Sequence, residues 1–306
     1  MSRQRLLRAI GGFGRTAGIV VVAHGGRSIG PEPTSPVQLS VLRMVPMARA
    51  IRRTLRGGQV LVDRPRFQLR GWNGEAASPV HDLTELLDGI SRDFGRIPVV
   101  LIGHSMGARA SLRVAGHPVV TAVAGLAPWL PPGEPVSQLA GRRVLLVHGS
   151  DDHTCNPEET WAYAERARSV GQVATIEMRD GDHAMLRRAR RWHRLAAEFA
   201  RLSLALPAGP GGQPAGRGDL AAGNGARPAG NGGMPAGVHV LQAGGGAAAA
   251  DGAVVPADGA GAPAEGAAPA AGGGPLTGPG GAPPTGRGAV ADAFTRAAAG
   301  QRRPVL

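Results

Sequence analysis

Short apolar runs alternate with stretches of helical spacing over the first two thirds of the chain. Gly18-Ile19-Val20-Val21-Val22-Ala23 is apolar without a break and predicts a buried strand. Pro36 to Leu55 predicts a helix, with apolar positions at Val41, Val45, Ala48, Ile51 and Leu55. Gln59 to Val62 predicts a second strand, with room to extend toward Phe67. A helix follows over Ser78–Phe94: Ser78 suits the cap, Pro79 the first helical position, and Asp82 lies in the first turn. Val80, Leu83, Leu86, Leu87 and Ile90 form its apolar stripe. Further strands are predicted at Pro98–Ile102, Val119–Ala124, Arg143–Val147 and Val173–Met178. Helices are predicted at Ala108–Ala115, at Pro157–Val170, and at Met185–Leu204, the last basic and amphipathic.

Near-continuous apolar strands interleaved with helices imply an α/β fold with a mostly parallel central sheet flanked by helices on both faces. Ligands of such sheets sit beyond the carboxyl ends of the strands. No internal repeat at a fixed period is present.

The pattern stops near Pro207. Beyond it the chain is almost entirely Gly, Ala and Pro, as in Ala247 to Ala250, and Phe294 is the one aromatic. Such a segment has too little apolar surface to offset chain entropy. The expected organisation is a folded domain over 1–205 and a Gly/Ala/Pro-rich disordered tail over 206–306. Truncation near residue 206 is expected to leave activity intact.

Charge changes the picture little. The formal net charge is +12, and all 34 basic residues are Arg. A chain without Lys and rich in Ala, Gly and Pro fits a GC-rich genome better than selection for phosphate binding. No nucleic-acid partner is therefore expected, and a nucleic-acid or anionic-membrane role is the minor alternative. Cys155 is the one cysteine, which excludes an internal disulfide. No Cys/His cluster has metal-ligand spacing, and no cofactor is called for. Arg3, Arg5 and Arg8 precede an apolar stretch in loose imitation of a secretory signal. Gly11-Gly12 and Gly14-Arg15 break that stretch, and no run approaches the ~20 apolar residues that span a bilayer. A cytoplasmic location is expected.

Three loops carry the chemistry. The strand ending at Ile102 runs into Gly103-His104-Ser105-Met106-Gly107, with a helix-compatible segment directly after it. A strand, a sharp Gly-x-Ser-x-Gly turn and a helix are the sequence form of a nucleophile elbow, with Ser105 at the tip. The strand ending at Val147 leads into His148-Gly149-Ser150-Asp151-Asp152-His153, and the one ending at Met178 into Asp180-Gly181-Asp182-His183. Ser, then Asp, then His, each after a strand, is the order of elbow-type hydrolases. A Ser hydroxyl needs a base at neutral pH, and the imidazole of His183 is the candidate. The acid that orients it is Asp151 or Asp152. Two backbone N–H groups are needed for the oxyanion: one from Met106, directly after Ser105, and one from Gly25 or Gly26.

On these motifs the stretch from Gly18 to Leu204 resembles the α/β-hydrolase fold superfamily, in its small, cap-less serine esterase form. Gly103 to Gly107 matches the family's elbow. His148-Gly149-Ser150-Asp151-Asp152 resembles its acid turn, which implies Asp152 as the acid. Gly181-Asp182-His183 resembles the loop carrying its histidine, Ala23-His24-Gly25-Gly26 its oxyanion loop, and Arg70 to Gly74 its Arg-Gly turn. Leu126 to Gly141 is short and Pro-rich, too short for a helical cap. The implied activity is cleavage of an ester, thioester or amide in a small acyl substrate through an acyl-enzyme. An acyltransferase would use the same residues with an acceptor other than water. A non-catalytic binding protein on this fold, recruiting an acidic partner through the basic last helix and tail, is the third reading.

Other residues have plain structural readings. His104 packs inside the elbow, His148 at its strand end, and His24 braces the oxyanion loop. His153 lies near the acid. His117 and His193 read as ordinary loop and helix residues. Cys155 sits at the cleft edge with nothing to lower its pKa. Trp72 and Trp129 line an acyl pocket or belong to the core.

Overall fold

Six strands pair into one sheet, every neighbouring pair parallel, in the order β2-β1-β3-β4-β5-β6. They are β1 (Gly18–Ala23), β2 (Val60–Asp63), β3 (Val99–His104), β4 (Val120–Leu126), β5 (Arg143–Gly149) and β6 (Gln172–Met178). This computed structural model describes residues 16–56, 59–205 and 288–301. They lie in one unit, Met1–Arg217 with Ala282–Leu306; a second unit, Gly218–Gly281, is outside the described residues.

Strand alternation sorts the apolar side chains onto two faces. Ile19, Val21, Val99 and Leu101 point to one side. There they meet α3 (Ser78–Phe94), α4 (Met106–Arg113) and α5 (Pro157–Ala167) through Leu83, Leu87, Ala110 and Tyr163. Val20, Val22, Val100 and Ile102 point to the other. They meet α2 (Met44–Thr54) and α6 (Ala189–Ala205) through Met47, Ile51, Trp192 and Phe199. Burial on both faces explains why these strands are apolar at every position rather than at alternate ones.

The predicted helix over Pro36–Leu55 is two helices, α1 (Leu39–Leu42) and α2, meeting at Arg43. Pro46 supplies the reason. Its ring would clash with the carbonyl of Leu42, four residues back, so the helix restarts just ahead of it. Ser78 is the first residue of α3 and not its cap. Ala77 occupies the cap position in a left-handed conformation, and the Ser78 hydroxyl accepts a hydrogen bond from Asn73 Nδ2 at 3.2 Å.

The largest departure is at the far end. The expected tail over 206–306 contains a helix, α7 (Ala289–Ala298), packed against β6 and α6. Ala289, Val290 and Ala293 are buried in the same cluster as Trp192 and Phe199. The Phe294 ring stacks on Phe199, 6.3 Å between centroids, and the Arg143 guanidinium lies 5.1 Å from the Phe294 ring centroid. The buried Glu198 carboxylate faces the first turn of α7, within electrostatic reach of the Gly288, Val290 and Ala291 N–H groups. The Gly/Ala/Pro composition hid a ten-residue amphipathic segment with only two large apolar side chains, Val290 and Phe294. Residues 206–287 of the predicted tail lie outside the described residues.

The chain passes from β1 outward to β2 and back to β3 beside β1. The connections leaving β1 and β3 therefore diverge, which opens a crevice at the carboxyl ends of the two strands. The Gly25–Gly26 loop and the Ser105 turn stand on either side of it. Beyond β4, strands β5 and β6 deliver the Asp152 and His183 loops to the same rim. No cap is inserted after β4; the connection to β5 carries one short 3-10 turn at Ser137–Leu139.

Candidate active site

Ser105 sits between β3 and α4 with φ 52° and ψ −120°. A side-chain-bearing residue in that region costs on the order of 1–3 kcal/mol, tolerated only where the surroundings impose it. Here they do. Gly107 lies so close to the carbonyls of Ala23 and His24 that no Cβ fits, and Gly103 is pressed equally hard against Ala108. The crowding that demands two glycines also holds the serine out at the tip.

His183 Nε2 accepts from Ser105 Oγ at 3.0 Å, and His183 Nδ1 donates to Asp152 Oδ2 at 2.8 Å. Both bonds hold together in one tautomer, with the proton on Nδ1. Asp152 is buried and takes four donors. His148 Nε2 reaches Oδ2 at 3.0 Å, and the N–H groups of Thr154 and Cys155 each reach Oδ1 at 2.9 Å. Burial alone would raise its pKa, but donors from His148, His183 and the Cys155 backbone outweigh it. The carboxyl is held far below the ordinary carboxylate range. His148 is fixed in turn by Thr160, whose hydroxyl donates to Nδ1 at 2.7 Å.

The structure thus joins Ser105, His183 and Asp152 and leaves Asp151 out. Asp151 is half-buried at the surface, paired with Arg187 and, at 3.2 Å, with His153. His153 points into solvent. His24 holds the oxyanion loop in place: Nδ1–H donates to the Gly25 carbonyl at 2.7 Å, and Nε2 accepts from the Phe67 N–H at 3.0 Å. Burial lowers its pKa, so it braces the loop as a neutral ring. Gly25 lies against Ser105, where an added Cβ would stand 3.3 Å from the serine Cβ. Gly26 is wedged between the Arg70 carbonyl and the Met106 thioether. Met106 opens α4, so its N–H is among the helix donors with no partner inside the helix.

His104 is fully buried beneath the pair. Its Nε2–H donates to the His183 carbonyl at 2.8 Å, while Nδ1 is buried without a partner. Burial, with the neighbouring His183, drives its pKa down to about 3. It therefore holds the His183 loop as a neutral donor. Cys155 is buried close to Ser105. Burial and the Asp152 charge push the thiol up to about 12, so the group is inert as a nucleophile.

Sequence reasoning missed the support of the β4–β5 connection. Glu134 is buried and takes Arg109 Nε and Arg113 Nε at 2.6 Å each. Burial favours the neutral acid, but the two guanidiniums prevail and lower its pKa. The Glu134 carbonyl accepts from Arg166 at 2.8 Å. The Arg109 guanidinium lies 3.8 Å from the Trp72 ring centroid and 4.5 Å from that of Trp129, and the two indoles meet edge to face at 6.1 Å. Two arginines four apart on the helix after the elbow, facing a loop with one acidic residue, were the available signal. Trp72 is buried, and Trp129 is half-buried within one residue of the Pro128 turn.

No protein-family model matches the chain, and neither does any curated protein. Solved structures do resemble it. An α/β serine hydrolase homologue from Coxiella burnetii is 19% identical, covering 60% of this chain and 85% of its own, with a TM-score of 0.46. A serine hydrolase without a lid from Xanthomonas campestris is 19% identical, covering 62% and 84%, with a TM-score of 0.45. Est1E from Butyrivibrio proteoclasticus is 13% identical, covering 63% and 90%, with a TM-score of 0.48.

Proposed function

We propose that this chain is a serine hydrolase that cleaves a carboxylic ester, or by the same chemistry a thioester or amide, through an acyl-enzyme. The observation that carries the reading is the unbroken line of hydrogen bonds from Ser105 Oγ to His183 to Asp152, at 3.0 and 2.8 Å, on the open rim of the sheet. As the Ser105 oxygen bonds to the acyl carbon, its proton passes to His183 Nε2. Asp152 keeps the other ring nitrogen protonated and stabilises the imidazolium that forms. The carbonyl oxygen gathers negative charge and is met by the Met106 N–H and by an N–H of the Gly25–Gly26 loop. Collapse breaks the bond to the leaving group, which departs with the proton from His183. Water then repeats the sequence on the acyl-serine and frees the acid.

The pinned Pro-rich connection supports an open cleft. Glu134 ties the loop bearing Trp129 to α4, so it acts as a fixed wall and not as a closing lid. A fluorophosphonate probe tests the reading. It should label Ser105 in the native protein and leave Ser105→Ala unlabelled. Absence of labelling in folded protein, together with esterase turnover unchanged by Ser105→Ala, would defeat it.

A further inference from the structure

Five large apolar side chains stand exposed among the described residues, and all five lie on two segments at the rim of the Ser105 crevice. Ile29, Val37, Leu39 and Leu42 follow the Gly25–Gly26 loop and lead into α2. Leu186 comes three residues after His183 and leads into α6. Asp182 joins the two segments: it accepts the Arg187 N–H at 2.8 Å and lies within electrostatic reach of Arg43, the neighbour of Leu42. Scattered apolar residues on a surface need no explanation, but a set confined to one rim does.

Behind this rim the surface is basic. Helices α2 and α6 pack on each other, and both run away from it. Arg49, Arg52 and Arg53 of α2, with Arg56 just beyond, are exposed, as are Arg190, Arg191 and Arg194 of α6. The two helices contain a single acidic residue, Glu198, which is buried against α7. Just ahead of α6, Arg187 and Arg188 are paired with Asp151 and Asp180; further along, Glu198 lies within electrostatic reach of Arg201, and Asp63 of β2 within reach of Arg52.

We infer that this face docks on an anionic lipid surface, with the Leu39 and Leu186 rim among the acyl chains and the α2–α6 arginines at the phosphates. Leu, Ile and Val beside Arg fit that partner. A single-stranded nucleic acid would call for aromatic side chains on which bases stack, and none stands exposed there. A lipid surface takes both the apolar and the cationic part at once. The inference rests on the hydrolase reading for its purpose, since docking would present the crevice to ester carbonyls at the interface.

Binding is measured with the full chain carrying Ser105→Ala, which separates docking from turnover. Co-sedimentation is compared between vesicles of phosphatidylcholine alone and vesicles with phosphatidylglycerol added. The account expects at least tenfold stronger partition onto the anionic vesicles, weakened by salt. Leu39→Asp with Leu186→Asp should remove most of it, and Arg190→Gln with Arg191→Gln and Arg194→Gln should remove the dependence on anionic lipid. Circular dichroism confirms that each variant is folded; all five sites are exposed, so the core is untouched. With Ser105 restored, the rim variant should keep its rate on a water-soluble acetate ester within about twofold. The inference is overturned by equal, negligible sedimentation with both vesicles, or by sedimentation that the rim variant leaves unchanged. It is equally overturned if RNA captures the protein in place of the vesicles with no effect of the rim substitutions. Vesicle docking without any esterase activity in the wild type would sustain the docking and end the hydrolase reading instead.

Discussion

Protonating His104 should weaken the fold, because this ring has no room for a charge. It is fully buried, its one donated bond goes to the His183 carbonyl, and its pKa is held near 3 against an ordinary 6.5. The sign follows from linkage. Below 6.5 the unfolded chain binds this proton and the folded chain does not, so stability falls as pH drops and is unaffected above 6.5. At about 1.4 kcal/mol per pH unit, the loss from this ring reaches roughly 3 kcal/mol at pH 4.5 and approaches 5 kcal/mol near pH 3. His104→Gln keeps a neutral donor and removes the titration. Urea unfolding of both proteins at pH 7.5 and at pH 4.5, followed by Trp fluorescence, isolates the effect. The difference between the two proteins cancels other buried groups: His24 and His193, also depressed by burial, and Asp63 and Glu198, raised by it. Asp152 stays out of this window, since its stabilisation is lost only below the unfolded carboxyl value near 3.8. Wild type should lose about 3 kcal/mol more than His104→Gln between the two pH values. A difference under about 0.5 kcal/mol would refute the reasoning.

Three further outcomes follow from the same geometry. Asp152→Asn should lower kcat roughly 10³–10⁴-fold by freeing the wrong His183 tautomer, whereas Asp151→Asn should stay within about threefold; steady-state kinetics on a chromogenic ester decide between them. Glu134→Gln should cost about 3 kcal/mol in urea unfolding, because it leaves two guanidiniums short of a partner, and should raise KM more than it lowers kcat as the Trp129 loop loosens. Deleting residues 288–301 should cost at least about 2 kcal/mol, from the lost burial of Val290 and part of Phe294, and should lower the melting temperature seen by fluorescence.

What the sequence made legible follows period and punctuation. The strands were readable because burial on both faces makes them apolar at every position, and the elbow because crowding admits only glycine at 103 and 107. The order of Ser105, Asp152 and His183 along the chain followed from strand-end loops, a local signal. The choice between Asp151 and Asp152 was not settled locally: both stand in one turn with His148, Thr154 and Cys155, and what separates them is which carboxylate meets His183, 31 residues on. The same holds for Glu134, whose partners are 21 and 25 residues away on α4. The docked helix at 289–298 escaped because composition was averaged over a long Gly- and Pro-rich stretch, and its partner Glu198 is distant in sequence. Pro46 is the opposite case: the break at Arg43 could be read from one residue and its effect four positions back.

The claim at the centre is that a covalent acyl group forms on Ser105. Rapid acid quench of the protein with excess p-nitrophenyl butyrate, followed by intact mass and peptide mapping, reads it directly. The account predicts a near-stoichiometric butyryl adduct on the peptide containing Ser105, formed as p-nitrophenol is released and absent in Ser105→Ala. Turnover at the wild-type rate with no adduct, or with the adduct on another residue, would contradict it.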